Sequence, residues 1–231
     1  MKRIGLIGGL SWYSSIEYYR KLNLLTEEHL GTHQQGNIVL VNVNLHEFNS
    51  LLKKDDNSRA IDLLISAAKT LESAGCDLIL LCSNGVHQFF YQVEDSITTE
   101  MLHIADATAI AIQEQKIVKV GLLGAKSTME EGFYQKRISK FNIEIMIPGA
   151  EDSDLVDQII FKELAQGNFI DTSRDSLIQI INNLQKMGAK GVILGCTEIP
   201  LLIAQNHVDL PVFSTTDLHC IFAFSKAISQ T

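Results

Sequence analysis

The sequence predicts an α/β protein of two pseudo-symmetric lobes, each a mostly parallel sheet flanked by helices. Three observations predict this fold. Short apolar runs alternate with longer amphipathic stretches along all 231 residues. Several of these runs are unbroken leucine or β-branched stretches, which is typical of strands covered on both faces. The order strand, glycine turn, helix also recurs in the two halves, and such alternation forms parallel sheets with right-handed crossovers.

The predicted strands are the short apolar runs, each bounded by polar or glycine residues. In chain order they cover residues 2–8, 37–43, 77–82, 101–104, 118–123, 143–147, 190–195 and 211–214.

The predicted helices are the amphipathic stretches between these runs. "DNSR" at 56–59 and "TSRDS" at 172–176 supply capping residues where two of them begin. The predicted helices cover residues 13–30, 57–74, 85–94, 105–115, 128–140, 151–166, 172–187 and 216–229.

An internal repeat relates the two halves of the chain. "KRIGLIGGLSWYSSIEYYRKL" at 2–22 resembles "VKVGLLGAKSTMEEGFYQKRI" at 118–138. Farther along, "LESAGCDLILLCSN" at 71–84 resembles "LQKMGAKGVILGCTE" at 184–198. The repeat predicts two similar half-chains. We expect residues 1–98 with 210–231 to form the first lobe, and residues 99–209 to form the second.

Each half delivers one cysteine to the same place, the carboxyl end of a strand. These residues are Cys82 and Cys196, and the distance along the chain between them nearly matches that between the repeats. In open α/β sheets ligands bind at this end of the strands. We therefore expect both thiols to face one site in a cleft between the lobes.

Composition narrows the range of partners. The net charge of −8 argues against binding nucleic acid or an anionic membrane. The apolar part of "MKRIGLIGGL" is too short for a signal peptide or a membrane span, so we expect a cytoplasmic protein with reduced thiols. The four cysteines form no CxxC pair, and "GLIGG" at 5–9 is not GxGxxG. We expect neither a metal nor a nucleotide cofactor.

Two thiols in matched positions suit a reaction with near mirror symmetry. Racemisation removes the Cα proton from one face of an amino acid and returns a proton to the other face. One group must act as base while the opposite group acts as acid. The ordinary thiol pKa of about 8.5 lies close enough to neutrality to be tuned by hydrogen bonds and dipoles. Backbone N–H groups after each cysteine can also hold the substrate carboxylate.

The chain resembles the aspartate/glutamate racemase family, of the PLP-independent, two-cysteine type. The resemblance covers essentially the whole length, and the paired cysteine segments make it specific. It implies cofactor-independent racemisation of aspartate and/or glutamate, with a small amino acid as the binding partner and a homodimer as the usual assembly. The matching segments are "GLIGGLSWYSS" (5–15), "LLCSN" (80–84), "LHIADAT" (102–108), "GLLGAKSTMEEGFY" (121–134) and "GVILGCTEIPLL" (191–202).

The same resemblance implies the site residues. Cys82 and Cys196 are the two proton-transfer residues. The substrate-binding positions are Leu10, Leu52, Ser83, Asn84, Gly85, Thr128, Glu163, Thr197 and Glu198.

The chain departs from the family pattern at three of the pocket positions. Gly85 ends "CSNG" where the family commonly shows "CTNT", and Ala125 stands where "LLGT" is usual. Leu52 occupies a position often held by glutamine, and no arginine stands where some aspartate-specific members carry one. These changes concern the slot for the substrate side chain and leave the pair of cysteines intact.

Other interpretations stay open. A related racemase or isomerase could act on another amino acid, a hydantoin or a maleate-like diacid, and in an isomerase one cysteine would add covalently to the substrate. A non-catalytic amino-acid-binding protein could share the same shell. His103 and Asp106 could belong to a nucleophilic triad, but we interpret them as a strand end and a helix cap.

Overall fold

The structure is a computed structural model that describes residues 1–229 and divides into two compact units. The first unit joins Met1–Ile104 to the segment that begins at His219. The second unit is Ala105–Leu218. No helix within residues 1–229 is both long and apolar enough to cross a membrane.

A four-stranded parallel sheet forms the centre of the first unit. Its strands are β1 (Ile4–Gly8), β2 (Ile38–Asn42), β3 (Leu78–Leu81) and β4 (Glu100–Leu102). Their order across the sheet is β2-β1-β3-β4, and every neighbouring pair is parallel. Leu6 of β1 is in register with Leu40 of β2 on one side and with Leu80 of β3 on the other.

Helices cover both faces of this sheet. Tyr18 and Leu22 pack against Leu6 and Leu80 on one face, together with Phe224. Residues from the remaining helices and the 3-10 turn Gly85–Phe89 pack against the opposite face. The helices of this unit are α1 (Trp12–Leu30), α2 (Leu45–Leu52), α3 (Asn57–Ser73), α4 (Phe90–Glu94) and the part of α10 (Thr215–Ile228) from His219 onward.

The second unit has a sheet of the same topology. Its strands are β5 (Lys119–Gly124), β6 (Glu144–Met146), β7 (Val192–Gly195) and β8 (Val212–Ser214). Their order, β6-β5-β7-β8, repeats the order of the first sheet strand for strand, and all pairs are parallel. The predicted α/β class with two parallel sheets is therefore confirmed.

The helices of the second unit connect and flank these strands. Four 3-10 turns, at 139–141, 164–166, 199–201 and 205–207, join them. The helices are α5 (Ile104–Glu114), α6 (Lys126–Glu130), α7 (Phe133–Ile138), α8 (Ala150–Lys162), α9 (Asp171–Lys186) and the first residues of α10.

The structure differs from the prediction at several helices. The sequence analysis left α2 unassigned, although Asn44 caps it by accepting from the backbone N–H groups of His46 and Glu47. The helix predicted at 128–140 is two short helices, because Gly132 between them takes a left-handed φ of 77°. A single helix was also predicted at 85–94, where a 3-10 turn precedes α4.

The predicted lobes, 1–98 with 210–231 and 99–209, stay a prediction. Cuts after residues 98 and 209 lie just before β4 and β8, whereas the compact units divide after those strands. The reason is strand pairing, since β4 pairs with β3 and β8 pairs with β7. The predicted first lobe also extends to residue 231, and residues 230 and 231 lie outside the described part of the chain.

Two glycines bring the end of β1 close to its neighbours. Gly9 has a left-handed φ of 80° and lies against the carbonyl of Val43, where a side chain would collide with backbone. A Cβ at Gly8 would lie 2.6 Å from the Ser15 hydroxyl oxygen. Ser15 in turn accepts from the Gly9 N–H at 2.8 Å. "GLIGG" is thus a tight turn from β1 into α1.

Candidate active site

Cys82 lies directly after β3 and is almost fully buried, with 1% of its surface exposed. Its N–H donates to the carbonyl of Ile7 at 3.0 Å. Its own carbonyl accepts from the Ser14 hydroxyl at 2.5 Å. Burial raises the pKa of the Cys82 thiol well above its ordinary value, and the neighbouring Cys220 raises it further. The thiol is therefore neutral at pH 7 in this structure.

Cys196 lies directly after β7 and is partly exposed. Its Sγ donates to Glu198 Oε2 at 2.9 Å. Burial raises the pKa of the Cys196 thiol well above its ordinary value, and the Glu198 carboxylate raises it further by its charge and its hydrogen bond. The backbone N–H groups of Glu198 and Ile199 act in the opposite direction. This thiol has both an adjacent proton acceptor and amide donors.

The two cysteines occupy the same place in their sheets. Each follows the third strand across its sheet, β3 for Cys82 and β7 for Cys196. Their surroundings differ, because Cys82 packs in an apolar cluster while Cys196 contacts a carboxylate. Matched backbone positions with different polar partners would allow the two thiols to differ in acidity.

The segment after Cys82 is held by a buried histidine. His87 Nδ1 donates to the carbonyl of Ser83 at 2.8 Å. Its Nε2 accepts from the N–H of Ile104 at 3.2 Å. The imidazole is thus neutral and carries its proton on Nδ1. Of the predicted binding positions in this segment, Asn84 is buried, whereas Ser83 and Gly85 are half-buried.

A second buried histidine extends this network. The Tyr18 hydroxyl donates to His219 Nδ1 at 2.8 Å, and His219 Nε2 donates to the carbonyl of Leu102 at 2.9 Å. Burial, with a smaller contribution from His87, lowers the pKa of His219 to about 3. The ring of His87 lies 5.8 Å from that of His219 and 4.7 Å from that of His103.

This network was missed by the sequence analysis. Within residues 1–229, no three His, Cys, Asp or Glu side chains are grouped to hold a metal ion. His87 and His219 each donate to a backbone carbonyl. No sequence signal points to the contact between Tyr18 and His219, since they lie near opposite ends of the chain.

The predicted binding residues Leu10 and Leu52 belong to an apolar cluster. Leu10 is 7% exposed and packs in the cluster that contains Phe48 and Val86. Leu52 is the last residue of α2 and packs, half-buried, against the same cluster. Leu10, Val43 and Val86 each come shortly after a strand, so apolar side chains line the carboxyl end of the first sheet.

Thr128 packs beside the strand end that leads to Cys196. A Cβ built on Gly124 would lie 3.4 Å from the Thr128 Cβ, and one on Gly195 would lie 3.6 Å from its Cγ2. Thr128 is 1% exposed, and Thr197 is buried as well. Ala125, the departure noted above, is the N-cap of α6 and makes no side-chain cap hydrogen bond.

Glu163 has a hydrogen-bond partner of its own in the second unit. It follows the last residue of α8, and Ser173 of α9 donates to its Oε2 at 2.5 Å. Asp106 is also engaged, because Arg137 donates to both of its oxygens at 2.6 Å. This bidentate ion pair makes Asp106 a structural residue of the second unit. The helix-capping role that we expected for Asp106 stays a prediction.

The fold and these thiols define the class to which the protein belongs. It is a two-unit α/β protein with one cysteine at the carboxyl end of the third strand of each sheet. A sequence model of the family described as Asp/Glu/Hydantoin racemase matches residues 7–223. The chain belongs to that family and is a racemase, an enzyme of the isomerase class.

Relatives support this assignment. A crystal structure of a candidate Asp/Glu racemase from Yersinia pestis is 42% identical, with a TM-score of 0.94 over 99% of this chain and 100% of that one. An aspartate racemase homologue from Pyrococcus horikoshii is 33% identical, with a TM-score of 0.89 over 99% and 100%. The broad specificity amino-acid racemase RacX of Bacillus subtilis is 24% identical over 161 residues, 70% of this chain and 69% of that protein.

Proposed function

We propose that the protein is a cofactor-independent amino-acid racemase in which Cys82 and Cys196 form a two-base pair. The observation that carries this proposal is the matched placement of the thiols, each directly after the third strand of its sheet. A reaction that treats two mirror-related faces alike is well served by two equivalent groups on a repeated scaffold. Family membership supplies the reaction class.

The proposed chemistry needs one thiolate and one thiol on opposite faces of the same Cα. The thiolate takes the Cα proton, and the electron pair left on carbon is delocalised into the carboxylate. The opposite thiol then gives its proton to the other face of the carbon. Product leaves with the roles of the two sulfurs exchanged, and the reverse reaction restores them.

We propose that Cys196 is the thiol that gives up its proton first, although burial and the Glu198 carboxylate hold its pKa well above the ordinary value before substrate binds. Its proton points to Glu198 Oε2 at 2.9 Å, so transfer along this hydrogen bond would leave a thiolate and a neutral carboxyl. The N–H groups of Glu198 and Ile199 favour that thiolate. Cys82, buried among apolar side chains, would then be the protonated acid. We assign Glu198 to this proton acceptance in addition to substrate binding.

The substrates that we propose are aspartate and/or glutamate. The family name and the Pyrococcus homologue both support an acidic amino acid. We further propose that Ser83, Asn84 and Gly85 bind the substrate after the first cysteine, with Thr128, Glu163 and Thr197 contributing from the second unit. A homodimer in the cytoplasm is the assembly and location that we propose from the family resemblance, and sedimentation equilibrium would measure the assembly.

An amino acid with an uncharged side chain is the second candidate substrate. The apolar cluster at the carboxyl end of the first sheet favours it, since Leu10 and Leu52 both belong there. A buried carboxylate without a charged or hydrogen-bonding partner is strongly disfavoured in such surroundings. RacX, which is named as a broad specificity enzyme, is a relative for which a wider range of substrates is stated.

Solvent deuterium exchange at Cα, followed by proton NMR, tests the proposal. The protein would be incubated in D2O without added PLP, with each enantiomer of aspartate, glutamate, methionine and leucine. We expect exchange in the wild type and loss of racemisation in Cys82→Ser and in Cys196→Ser. Cys76→Ser is the matched control, because Cys76 is a free thiol ahead of β3.

Each result has a distinct meaning. A single-cysteine variant that still exchanges the proton of one enantiomer would support the two-base mechanism and assign that thiol to one face. Exchange confined to methionine or leucine would replace the acidic substrate by the second candidate. A folded, reduced protein that exchanges none of the panel would contradict the proposed reaction.

A further inference from the structure

We propose that Ser14 and His87 are positioning residues that aim two successive backbone N–H groups, those of Ser83 and Asn84, at the carboxylate of the substrate. This inference rests on the proposed function, in which the segment after Cys82 binds the substrate. In this inference the segment binds the substrate through backbone N–H groups, and two buried side chains fix the orientation of the peptide groups that carry them.

Both side chains hold carbonyls of this segment from the interior of the first unit. Ser14 is 1% exposed, and its hydroxyl donates to the carbonyl of Cys82 at 2.5 Å. His87 is 2% exposed, and its Nδ1 donates to the carbonyl of Ser83 at 2.8 Å. Two consecutive peptide groups are therefore held by side chains from two different elements, α1 and the 3-10 turn after β3.

Because the peptide group is planar, these two carbonyl contacts also fix the directions of the N–H groups that follow. In a trans peptide the C=O and the following N–H point in opposite directions, and residues 1–229 contain no cis peptide bond. Ser14 holds the C=O of Cys82, so the N–H of Ser83 points away from Ser14. His87 holds the C=O of Ser83, so the N–H of Asn84 points away from His87. Oriented backbone N–H groups form a binding place for an anion.

The donor role of His87 is itself determined by its surroundings. The N–H of Ile104, a fully buried residue, donates to Nε2 at 3.2 Å and so excludes a proton there. The ring stacks on Phe90 with centroids 5.9 Å apart and planes inclined by 9°. His87 is thus held as the Nδ1–H tautomer in one orientation, as a positioning group requires.

All α-amino acids carry this carboxylate, so the inference predicts the same effect for every substrate. Loss of the aimed N–H groups should weaken binding of every substrate by a similar factor, whatever its side chain. It should therefore raise KM much more than it lowers kcat, whereas loss of a thiol abolishes kcat. A general packing defect would instead lower the amount of folded enzyme without raising KM.

Substitutions at His87 separate its two nitrogens. Asparagine places an amide nitrogen near the position of Nδ1 and keeps the donor to Ser83, whereas glutamine reaches the position of Nε2 and loses it. With aspartate and glutamate as the probe substrates, we expect His87→Gln to raise KM about tenfold or more, as for a lost hydrogen bond to a charged group. We expect His87→Asn to stay within about threefold of the wild type.

Variants of Ser14 and of an exposed histidine complete the set of variants to be measured. Ser14→Ala should raise KM as His87→Gln does, and Ser14→Thr, which keeps the hydroxyl, should restore it. His29→Gln is the matched control, because exposed His29 makes the same Nδ1 contact to a carbonyl four residues earlier, Leu25, at 3.0 Å. An unchanged KM in His87→Gln, or equal damage in His87→Asn and His87→Gln, would overturn the inference.

A measurement that needs no substrate keeps this inference separate from the proposed reaction. Nitrogen-15 NMR of the histidines, assigned with His87→Asn, reports which ring nitrogen carries the proton. We expect His87 to be the Nδ1–H tautomer and His219 the Nε2–H tautomer at pH 7. If no amino acid is turned over, the proposed function fails. The spectrum alone then decides whether His87 holds the Ser83 carbonyl as a donor through Nδ1. An Nε2–H signal or a doubly protonated ring at His87 would overturn it.

Discussion

Lowering the pH from 7 to 5 should destabilise the protein through His219. This side chain is 0% exposed and its pKa is about 3, because burial disfavours the charged ring. In the unfolded chain the pKa of histidine is about 6.5. At pH 5 the unfolded state therefore binds a proton that the folded state does not, and the free energy of unfolding falls as the pH falls through 6.5.

The size of this loss follows from the two pKa values. Each pH unit below the unfolded pKa costs about 1.4 kcal/mol, so the free energy of unfolding falls by about 2 kcal/mol between pH 7 and pH 5. The result depends little on the folded pKa, since any value below about 4 leaves His219 neutral at pH 5. Its neighbours that face it are Tyr18, which donates to Nδ1, and His87, whose ring centroid lies 5.8 Å away.

Urea unfolding followed by far-UV circular dichroism at both pH values measures this loss. The variant is His219→Gln, whose amide nitrogen can still donate to the Leu102 carbonyl but which has no proton to gain. All other titrating groups are shared, so the difference between the two proteins isolates His219. We expect the variant to lose about 2 kcal/mol less than the wild type on acidification. His29→Gln, at an exposed histidine, should behave like the wild type.

A difference below about 0.5 kcal/mol between the wild type and His219→Gln would refute the reasoning, because a buried neutral histidine must contribute the full linkage. It would mean that His219 is protonated at pH 5 in the folded state. The hydrogen bond from Tyr18 to Nδ1 would then have to rearrange, because a protonated Nδ1 can no longer accept, and the nitrogen-15 spectrum of the histidine would show it.

Two further predictions concern a turn and the second thiol. Gly9→Ala should lower the free energy of unfolding by at least about 2 kcal/mol, because its φ of 80° and the Val43 carbonyl both oppose a side chain. Gly149→Ala, where no atom lies within 4 Å of the added Cβ, should cost less than about 1 kcal/mol, the difference between glycine and alanine as the N-cap residue of α8, and urea unfolding of both variants decides. Glu198→Gln should lower the pKa of the Cys196 thiol, because the carboxylate raises it by charge and hydrogen bonding. Iodoacetamide labelling of the Cys196 peptide, measured against pH by mass spectrometry, should show the pH midpoint of labelling moving downward. An upward or absent shift would contradict the conclusion that the Glu198 carboxylate raises this pKa.

The sequence by itself determined the two sheets and the place of the two cysteines. Unbroken apolar runs such as β3 and β7 predict strands, because a strand buried on both faces has no polar face to alternate with. All eight strands lie where such runs predict them, within a residue or two at each end. Cys82 and Cys196 follow directly from this, since each stands next to the end of its run.

Short elements and lobe boundaries were decided by interactions beyond the local pattern. The eight residues of α2 carry too few turns for a clear periodicity, and the cap at Asn44 forms only once the chain has turned after β2. β4 and β8 are three-residue strands, and the compact unit to which each belongs depends on which neighbour it pairs with. The sequence of a short apolar run does not indicate which strand it will pair with.

Only the tertiary structure decided the polar partners of the site. Tyr18 meets His219, and His87 meets the N–H of Ile104, through contacts between elements that are distant in the chain. Even the contact of Cys196 with Glu198, two residues apart, depends on the bend that follows β7. Local periodicity records which side of an element is buried, because burial acts on each residue separately. Hydrogen-bond partners, tautomers and shifted pKa values depend on which groups the packed elements bring within about 3 Å of each other, and this is a property of the folded chain as a whole.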